Sequence, residues 1–397
     1  MVPCALWHDD DSFVLRHNVR MCMFMDYVLL STYPPTQCGL ATFSAALNRH
    51  LALPGERVRV VRVVDEEPTV PGPPEVVCNL LNGSAQSARA AVGVLNGSDV
   101  VIVQHEYGIY GGVDGEDILG LVDAVTAPMV TVLHTVLAQP TIRQKHILQK
   151  LAGAAAAIVT MTQTARRRLI DVYGVDSAMV SLIPHGAVDN RVTGARSRRA
   201  NHPLLLTWGL LGPGKGLEHA IDAVALLRRG GHEVHYMIAG QTHPKVIARD
   251  GERYRQWLLA RARSRAVDDL VHFDNRFFDL DALNRLIGSA DVVVLPYDST
   301  EQVTSGVLIE AVTAGRPVVS TAFPHAIELL ASGAGALVPR RDARGLAGAV
   351  MRVLGEPAVA AAMCRESARL APSLLWPAVA RSYRTLAAAT VSAHAVA

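Results

Sequence analysis

PYDSTEQVTSGVLIEAVTAGRPVVSTAFPHAIELL, residues 296–330, decides the fold of this chain. An apolar run over 291–295 predicts a buried strand that breaks at Pro296 into a polar loop. The loop ends in a Ser305-Gly306 turn, which opens a helix predicted over 305–314 and carrying Glu310 in its first turns. After a break at Ala314-Gly315, a second strand is predicted over 317–320. Glycine at a helix start lets backbone N–H groups approach an anion closely, and the helix dipole favours negative charge there. A carboxylate about one turn further on cannot serve that anion, but it accepts hydrogen bonds from hydroxyls. Diphosphate beside hydroxyls is the chemistry of a nucleotide-sugar.

Outward from this unit the chain alternates β-branched runs with helical segments, the mark of a parallel α/β architecture. Strands are expected at 27–31, 57–64, 99–104, 129–134, 156–160 and 179–183, with helices at 39–52, 84–95, 116–126, 139–152 and 162–172. A basic stretch rich in Gly, Asn and Pro (NRVTGARSRRANHP) then interrupts the pattern. Beyond it, strands are expected at 204–208, 234–239, 270–273, 291–295 and 317–320. Helices are expected at 216–229, 244–265, 280–289, 305–314, 342–354, 357–370 and 374–390. The near-continuous apolar strands imply sheets covered on both faces. We therefore expect two Rossmann-like domains facing across a cleft, 26–190 and 204–372, joined by a linker over 191–203. The last segment, 373–397, is expected to form a helix packing back on the first domain, followed by a tail. Asp9-Asp10-Asp11 interrupts what would be a signal-peptide core, so secretion is not expected, and residues 1–25 read as a disordered leader or as the product of a start codon placed too early.

The bulk properties fit this division. A chain of 397 residues exceeds the roughly 250–300 over which a single core grows, and half of its residues are apolar. A formal charge of +2 lacks the basic excess of a phosphate-backbone binder, which argues against nucleic acid as a partner. The cysteines (Cys4, Cys22, Cys38, Cys78, Cys364) form no C-x-x-C pair, as expected of reduced thiols in the cytoplasm. No run is long and apolar enough to span a bilayer. Arg166-Arg167-Arg168 reads as a solvated helix face or, alternatively, as a patch for the inner membrane face; nothing else indicates a membrane surface.

In doubly wound sheets ligands bind outside the carboxyl ends of the strands, which selects the candidates. After the first strand, STYPPTQCG places Gly39 at a helix entry, either a phosphate cradle or a plain tight turn. His105, Glu106 and Tyr107 follow the third strand and His134 the fourth; a strand-end histidine is either structural or functional. The Tyr107–Gly115 loop, rich in glycine, reads as a mobile acceptor-side lid or a solvated turn. In TWGLLGPGKG, Gly214, Lys215 and Gly216 put an ammonium at a helix entry where it can pair with phosphate, although an ordinary surface lysine fits the same letters. His243 in GQTHP either faces the cleft or caps a helix. Asp279-Leu280-Asp281 spells D-x-D, but at a helix start, where aspartate is the expected N-cap, so no metal is expected.

Together the Gly39 loop, His134, IPHGAVD (183–189), the Gly-Lys-Gly loop and the 302–317 segment resemble the retaining glycosyltransferases of family four, with the GT-B fold. The resemblance spans nearly the whole chain. It implies an enzyme moving a hexose, glucose or mannose, from a nucleotide-sugar donor to a hydroxyl of a carbohydrate or lipid-linked acceptor. No cofactor beyond that co-substrate is implied. Carried over residue by residue, His134, Lys215, Gln302 and Glu310 form the catalytic set. Gly39, Gly214, Lys215, Gly216, His243, Thr304, Ser305, Gly306 and Glu310 bind the donor, and His105, Glu106 and Tyr107 lie on the acceptor side. Two departures stand out. The family's first glutamate of E-x7-E falls on Gln302, next to Glu301, and its diphosphate-pairing arginine falls on Leu210. An amide accepts and donates hydrogen bonds but carries no charge. The resemblance implies retention, with Lys215 and the Ser305-Gly306 amides neutralising the leaving phosphate. A glycoside phosphorylase on the same fold and a non-catalytic nucleotide-sugar-binding protein are the alternatives.

Overall fold

The computed structural model describes residues 24–191 and 202–396, so the leader up to residue 23 and linker positions 192–201 lie outside the described residues. The strands are β1 Asp26–Ser31, β2 Arg57–Val64, β3 Val76–Leu81, β4 Val100–His105, β5 Met129–Leu133, β6 Ala157–Thr160 and β7 Val180–Leu182, then β8 Leu204–Trp208, β9 His235–Ala239, β10 Val271–Asp274, β11 Val292–Leu295, β12 Val318–Thr321 and β13 Gly335–Val338. The first seven form one parallel sheet in the order β3-β2-β1-β4-β5-β6-β7, and the other six a second in the order β10-β9-β8-β11-β12-β13. Both orders reverse beside their first strand, at β1/β4 and at β8/β11. Those switch points are where the connections diverge and leave a crevice.

Helices cover both faces of each sheet: α1 Gly39–Leu51, α2 Ala85–Asn96, α3 Ile118–Val122, α4 Ile142–Ala154 and α5 Gln163–Tyr173 in the first domain, then α6 Leu217–Arg229, α7 Pro244–Asp250, α8 Arg253–Ser264, α9 Leu280–Ser289, α10 Gly306–Thr313, α11 Pro324–Leu330 and α12 Ala343–Gly355 in the second. Two more, α13 Pro357–Leu374 and α14 Trp376–His394, return the chain. Buried β4 (VVIVQH) and β11 (VVVL) show no alternation, because both of their faces are covered.

Several elements differ from the sequence expectation. Strand β3 follows a proline-rich stretch that hides it, and β13 is a four-residue strand too short to show a period. Helix α11 begins at Pro324, inside what reads as loop. The helix expected over 244–265 is two helices, broken where Gly251 takes φ +62°. The expected 116–126 helix shrinks to α3 behind a 3-10 turn.

Two chain segments outside the strands pair where the domains meet. Ala187 bridges Leu375, with its N–H on the Leu374 carbonyl at 2.8 Å and its own carbonyl accepting from Trp376 at 2.9 Å. Gly186 has no room for a side chain, since a Cβ would enter the Trp376 indole, which also packs edge-on against Phe43. Helix α14 lies against α1, where Arg384 donates to the carbonyls of His50 and Leu51 that end α1. The carboxyl ends of the two sheets face each other: Gln241 Nε2 donates to Gln37 Oε1 at 2.6 Å across the gap, and Lys245 donates to the Gly108 carbonyl.

Candidate active site

The second domain's contribution starts where β8 ends. Gly209 and Gly240 stack backbone on backbone, with φ +114° and +135°, so a Cβ on Gly240 would meet the Gly209 carbonyl. The next turn carries Gly214 and Gly216 at φ +88° and +64°, and a Cβ on Gly216 would strike the Pro296 carbonyl. Only glycine holds that approach without strain. The Asp298 N–H donates to the Gly214 carbonyl at 2.9 Å and ties this loop to the segment after β11. Lys215 therefore projects beside Tyr297, its Nζ 4.3 Å from the ring centroid. Burial pulls its ammonium down to about 8, because no carboxylate compensates the lost hydration.

The turn before α10 faces it. Ser305 caps the helix by accepting from the Leu308 N–H at 3.3 Å. Its own N–H is spent on His325 Nδ1 at 2.8 Å, so the expectation that the Ser305 amide serves a phosphate is corrected. The Gly306 and Val307 N–H groups, in the first turn, have no helical acceptor and point out of the helix start. Thr304 Oγ1 is enclosed and has no partner among the described residues. Buried His325, held neutral by burial at about 3, has to be protonated on Nε2 to accept at Nδ1. One turn into α10, a Glu310 carboxylate oxygen accepts from Trp208 Nε1 at 2.9 Å, and burial raises its pKa.

The two letters that depart from the family spacing are now placed. Glu301 Oε2 accepts from Arg168 Nη1 and from the Ala138 N–H, both at 2.8 Å and both in the first domain. Gln302 Nε2 donates to the Thr304 carbonyl at 3.3 Å, inside its own loop. Neither brings negative charge to the turn. Half-buried Leu210 brings no cation.

The first domain supplies neutral imidazoles and a carboxyl. His134 Nε2 meets Gln104 Oε1 at 2.7 Å, which puts the proton on Nε2 and leaves Nδ1 as an acceptor. Burial, then His185 and His105, holds His134 at about 3. His185 lies over Gly306, where a Cβ would come within 3.0 Å of the imidazole, and burial holds it at about 4. Glu106 accepts from Thr135 Oγ1, with burial raising its pKa. Gly39 begins α1 and opens onto free space. Two acceptor-side expectations are corrected. His105 is 0% exposed between Tyr107 and Tyr110, and Tyr107 turns inward, donating to the Gln144 carbonyl. Both are buried on either side of Glu106 in the chain. His243 caps α7, its Nδ1 accepting from the Lys245 N–H at 3.1 Å, while lying close enough to Lys215 for that charge to lower its pKa after burial and Lys245.

The structure thus gathers Lys215, Gly306, Thr304 and Glu310 from the second domain, with His134 opposite. It adds Trp208, His185 and His325, which sequence reasoning leaves unassigned. A tryptophan ending a strand directly before a glycine loop was the available signal for Trp208. For His185 it was the histidine in the joining motif. Nothing local marked His325. Asp279 caps α9 through the Ala282 N–H at 2.7 Å, as its position predicts.

Residues 202–356 match the family model "Glycosyl transferases group 1". Among solved structures, the sucrose-phosphate synthase of Thermosynechococcus elongatus superposes with TM-score 0.75 at 19% identity, covering 92% of this chain and 100% of that one. Anabaena Alr3699/HepE, solved in complex with UDP, gives 0.72 at 16% identity, covering 92% and 100%. The fold is GT-B. Among curated proteins, the glycogen synthase of Mycobacterium tuberculosis is 28% identical over 277 residues, 66% of this chain and 63% of that protein. The chain thus spans less than two thirds of that relative's length. The GT-B domain that carries Lys215 and Glu310 is the one the family model matches.

Proposed function

We propose that the chain is a retaining glycosyltransferase that moves a hexose, glucose or mannose, from a nucleoside diphosphate to an acceptor hydroxyl without a metal ion. One observation carries this reading: an ammonium, two outward N–H groups and a carboxylate converge at the switch point of the second sheet, the arrangement a diphosphate and a ribose require. The match to group 1 glycosyl transferases and the UDP in the HepE crystal support it.

Glu310 accepts hydrogen bonds from ribose hydroxyls, its second oxygen oriented by the Trp208 bond. Lys215 with the Gly306 and Val307 amides faces the diphosphate. As the bond from the anomeric carbon to the phosphate oxygen breaks, charge grows on that oxygen, and preorganised donors stabilise it. The acceptor oxygen bonds the anomeric carbon on the same face, and its proton passes to the departing phosphate. His134 Nδ1 accepts from a sugar hydroxyl. Glu106, held by Thr135, takes a hydroxyl of the carbohydrate or lipid-linked acceptor. Closing the cleft excludes water that would hydrolyse the donor.

Thermal shift with UDP-, GDP- and ADP-linked glucose and mannose, then calorimetry in EDTA, tests the reading. Stabilisation by one nucleotide-sugar supports it. Absence of binding by all of them removes it.

A further inference from the structure

We propose that segment 300–303 is a clasp that shapes the phosphate-facing turn only when the domains are closed, with Arg168 and Glu301 as positioning residues. The segment lies between the end of β11 and the outward amides of Gly306 and Val307, yet Thr300, Glu301 and Val303 find partners in the first domain. Arg168 Nη1 donates to Glu301 Oε2 at 2.8 Å and to the Val136 carbonyl at 3.0 Å, and Nη2 donates to the Thr300 carbonyl at 2.9 Å. The Ala138 N–H adds a second donor to Glu301. Arg168, from the basic triplet on α5, is thus turned into the interface with its side chain 14% exposed; Arg167 stays exposed beside it. Two residues on, Val303 is 1% exposed and sits in the apolar cluster of Tyr107, Leu133, Val136 and Tyr173.

A second tie reaches the same turn from behind. Glu328 on α11 accepts from the Gln163 and Thr164 N–H groups at 2.7 and 2.9 Å, at the start of α5, and from Thr164 Oγ1 at 2.9 Å. Helix α11 also carries His325, whose ring holds the Ser305 N–H and whose own N–H donates to the Gln302 carbonyl. Both ends of the turn therefore take their position from α5, across the domain gap. Opening the cleft would separate a guanidinium from its carboxylate and expose Val303, so the turn would lose its supports together. Closure and anion affinity become one equilibrium, and each shifts the other by the same factor. The placement also accounts for the letter shift at 301–302: the carboxylate serves the interface and leaves the adjoining position to an amide.

The part concerning nucleotide rests on the proposed function; the clasp itself does not. The full chain and its Arg168→Met, Glu301→Gln, double and Arg167→Met variants would be compared by X-ray scattering without ligand. Calorimetry would use whichever of UDP, GDP and ADP the wild type binds. Each single clasp variant is expected to enlarge the radius of gyration and weaken nucleotide binding about tenfold, within the usual 5–150-fold range of coupling. The double variant should be no worse than the poorer single, and Arg167→Met should match wild type. Val303→Ala, which removes no charge, should shift both readouts the same way if a charge variant does not fold. Unchanged radius, additive losses in the double variant, or a larger radius at unaltered affinity would each overturn the clasp. If the wild type binds none of the three nucleotides, the functional reading fails while the scattering still decides the clasp.

Discussion

The two domains share one strand order and carry opposite kinds of chemistry. Both sheets run 3-2-1-4-5-6 from one edge, the first adding a seventh strand, and both present loops at the switch point. At the second, glycines with positive φ (Gly209, Gly214, Gly216, Gly240) let backbone segments approach closely, and Lys215 adds charge. At the first, the loops hold neutral imidazoles and a carboxyl: His134, His185 and Glu106, with burial favouring the uncharged form of each. The difference teaches that the fold supplies only position. In the proposed function, glycine spacing and one ammonium serve an anion in one domain, while buried strand-end side chains in the other serve hydroxyls.

This contrast predicts unequal effects. Lys215→Ala should be the most damaging, lowering turnover by roughly 100–1,000-fold, the scale for losing a donor aimed at developing charge. Wild-type rates in that variant would take Lys215 out of the site. His134→Ala should lower kcat/KM by roughly tenfold, the cost of one hydrogen bond of about 1 kcal/mol or somewhat more. Nucleotide affinity by calorimetry should stay within about twofold, because the proposed function gives the first domain no part in gripping the diphosphate. A matching loss of UDP, GDP or ADP affinity would erase the distinction between the domains. Trp208→Phe keeps an aromatic ring, though a smaller one, and removes the Nε1–H that orients Glu310, so KM for the donor should rise several-fold at nearly constant kcat, again on the scale of one hydrogen bond.

The pH dependence separates the halves further. Lys215 without ligand is held at about 8, below its usual range, and a diphosphate binds the protonated form. Donor affinity should therefore be full below about pH 8 and fall as pH rises through it. Lys215→Arg should move that fall out of range, since a guanidinium stays charged. The histidines of the first domain, at about 3 and 4, should contribute no inflection near neutrality. Asp279→Ala should have the smallest functional effect: about 0.5–2 kcal/mol of stability lost with the α9 cap, and donor binding untouched.

Much of this was legible in the letters. Apolar runs and helix-entry glycines located the strands on either side of Lys215 and Glu310, because chain stiffness and burial act locally. β3 and β13 escaped because a proline-rich approach and a four-residue length leave no period to read. His105 and Tyr107 were legible as strand-end residues, but which way they turn depends on Tyr110 and α4 packing over them.

The sequence by itself determined the doubly wound pattern, the glycine turn that carries Lys215 and the helix that carries Glu310. Each follows from backbone restrictions and apolar spacing within a few dozen residues. Tertiary structure alone decided that Trp208 holds Glu310, that His325 consumes the Ser305 amide, and that Glu301 belongs to Arg168. Those partners are 102, 20 and 133 residues apart along the chain. A hydrogen bond is set by distance in space, which no local spacing encodes.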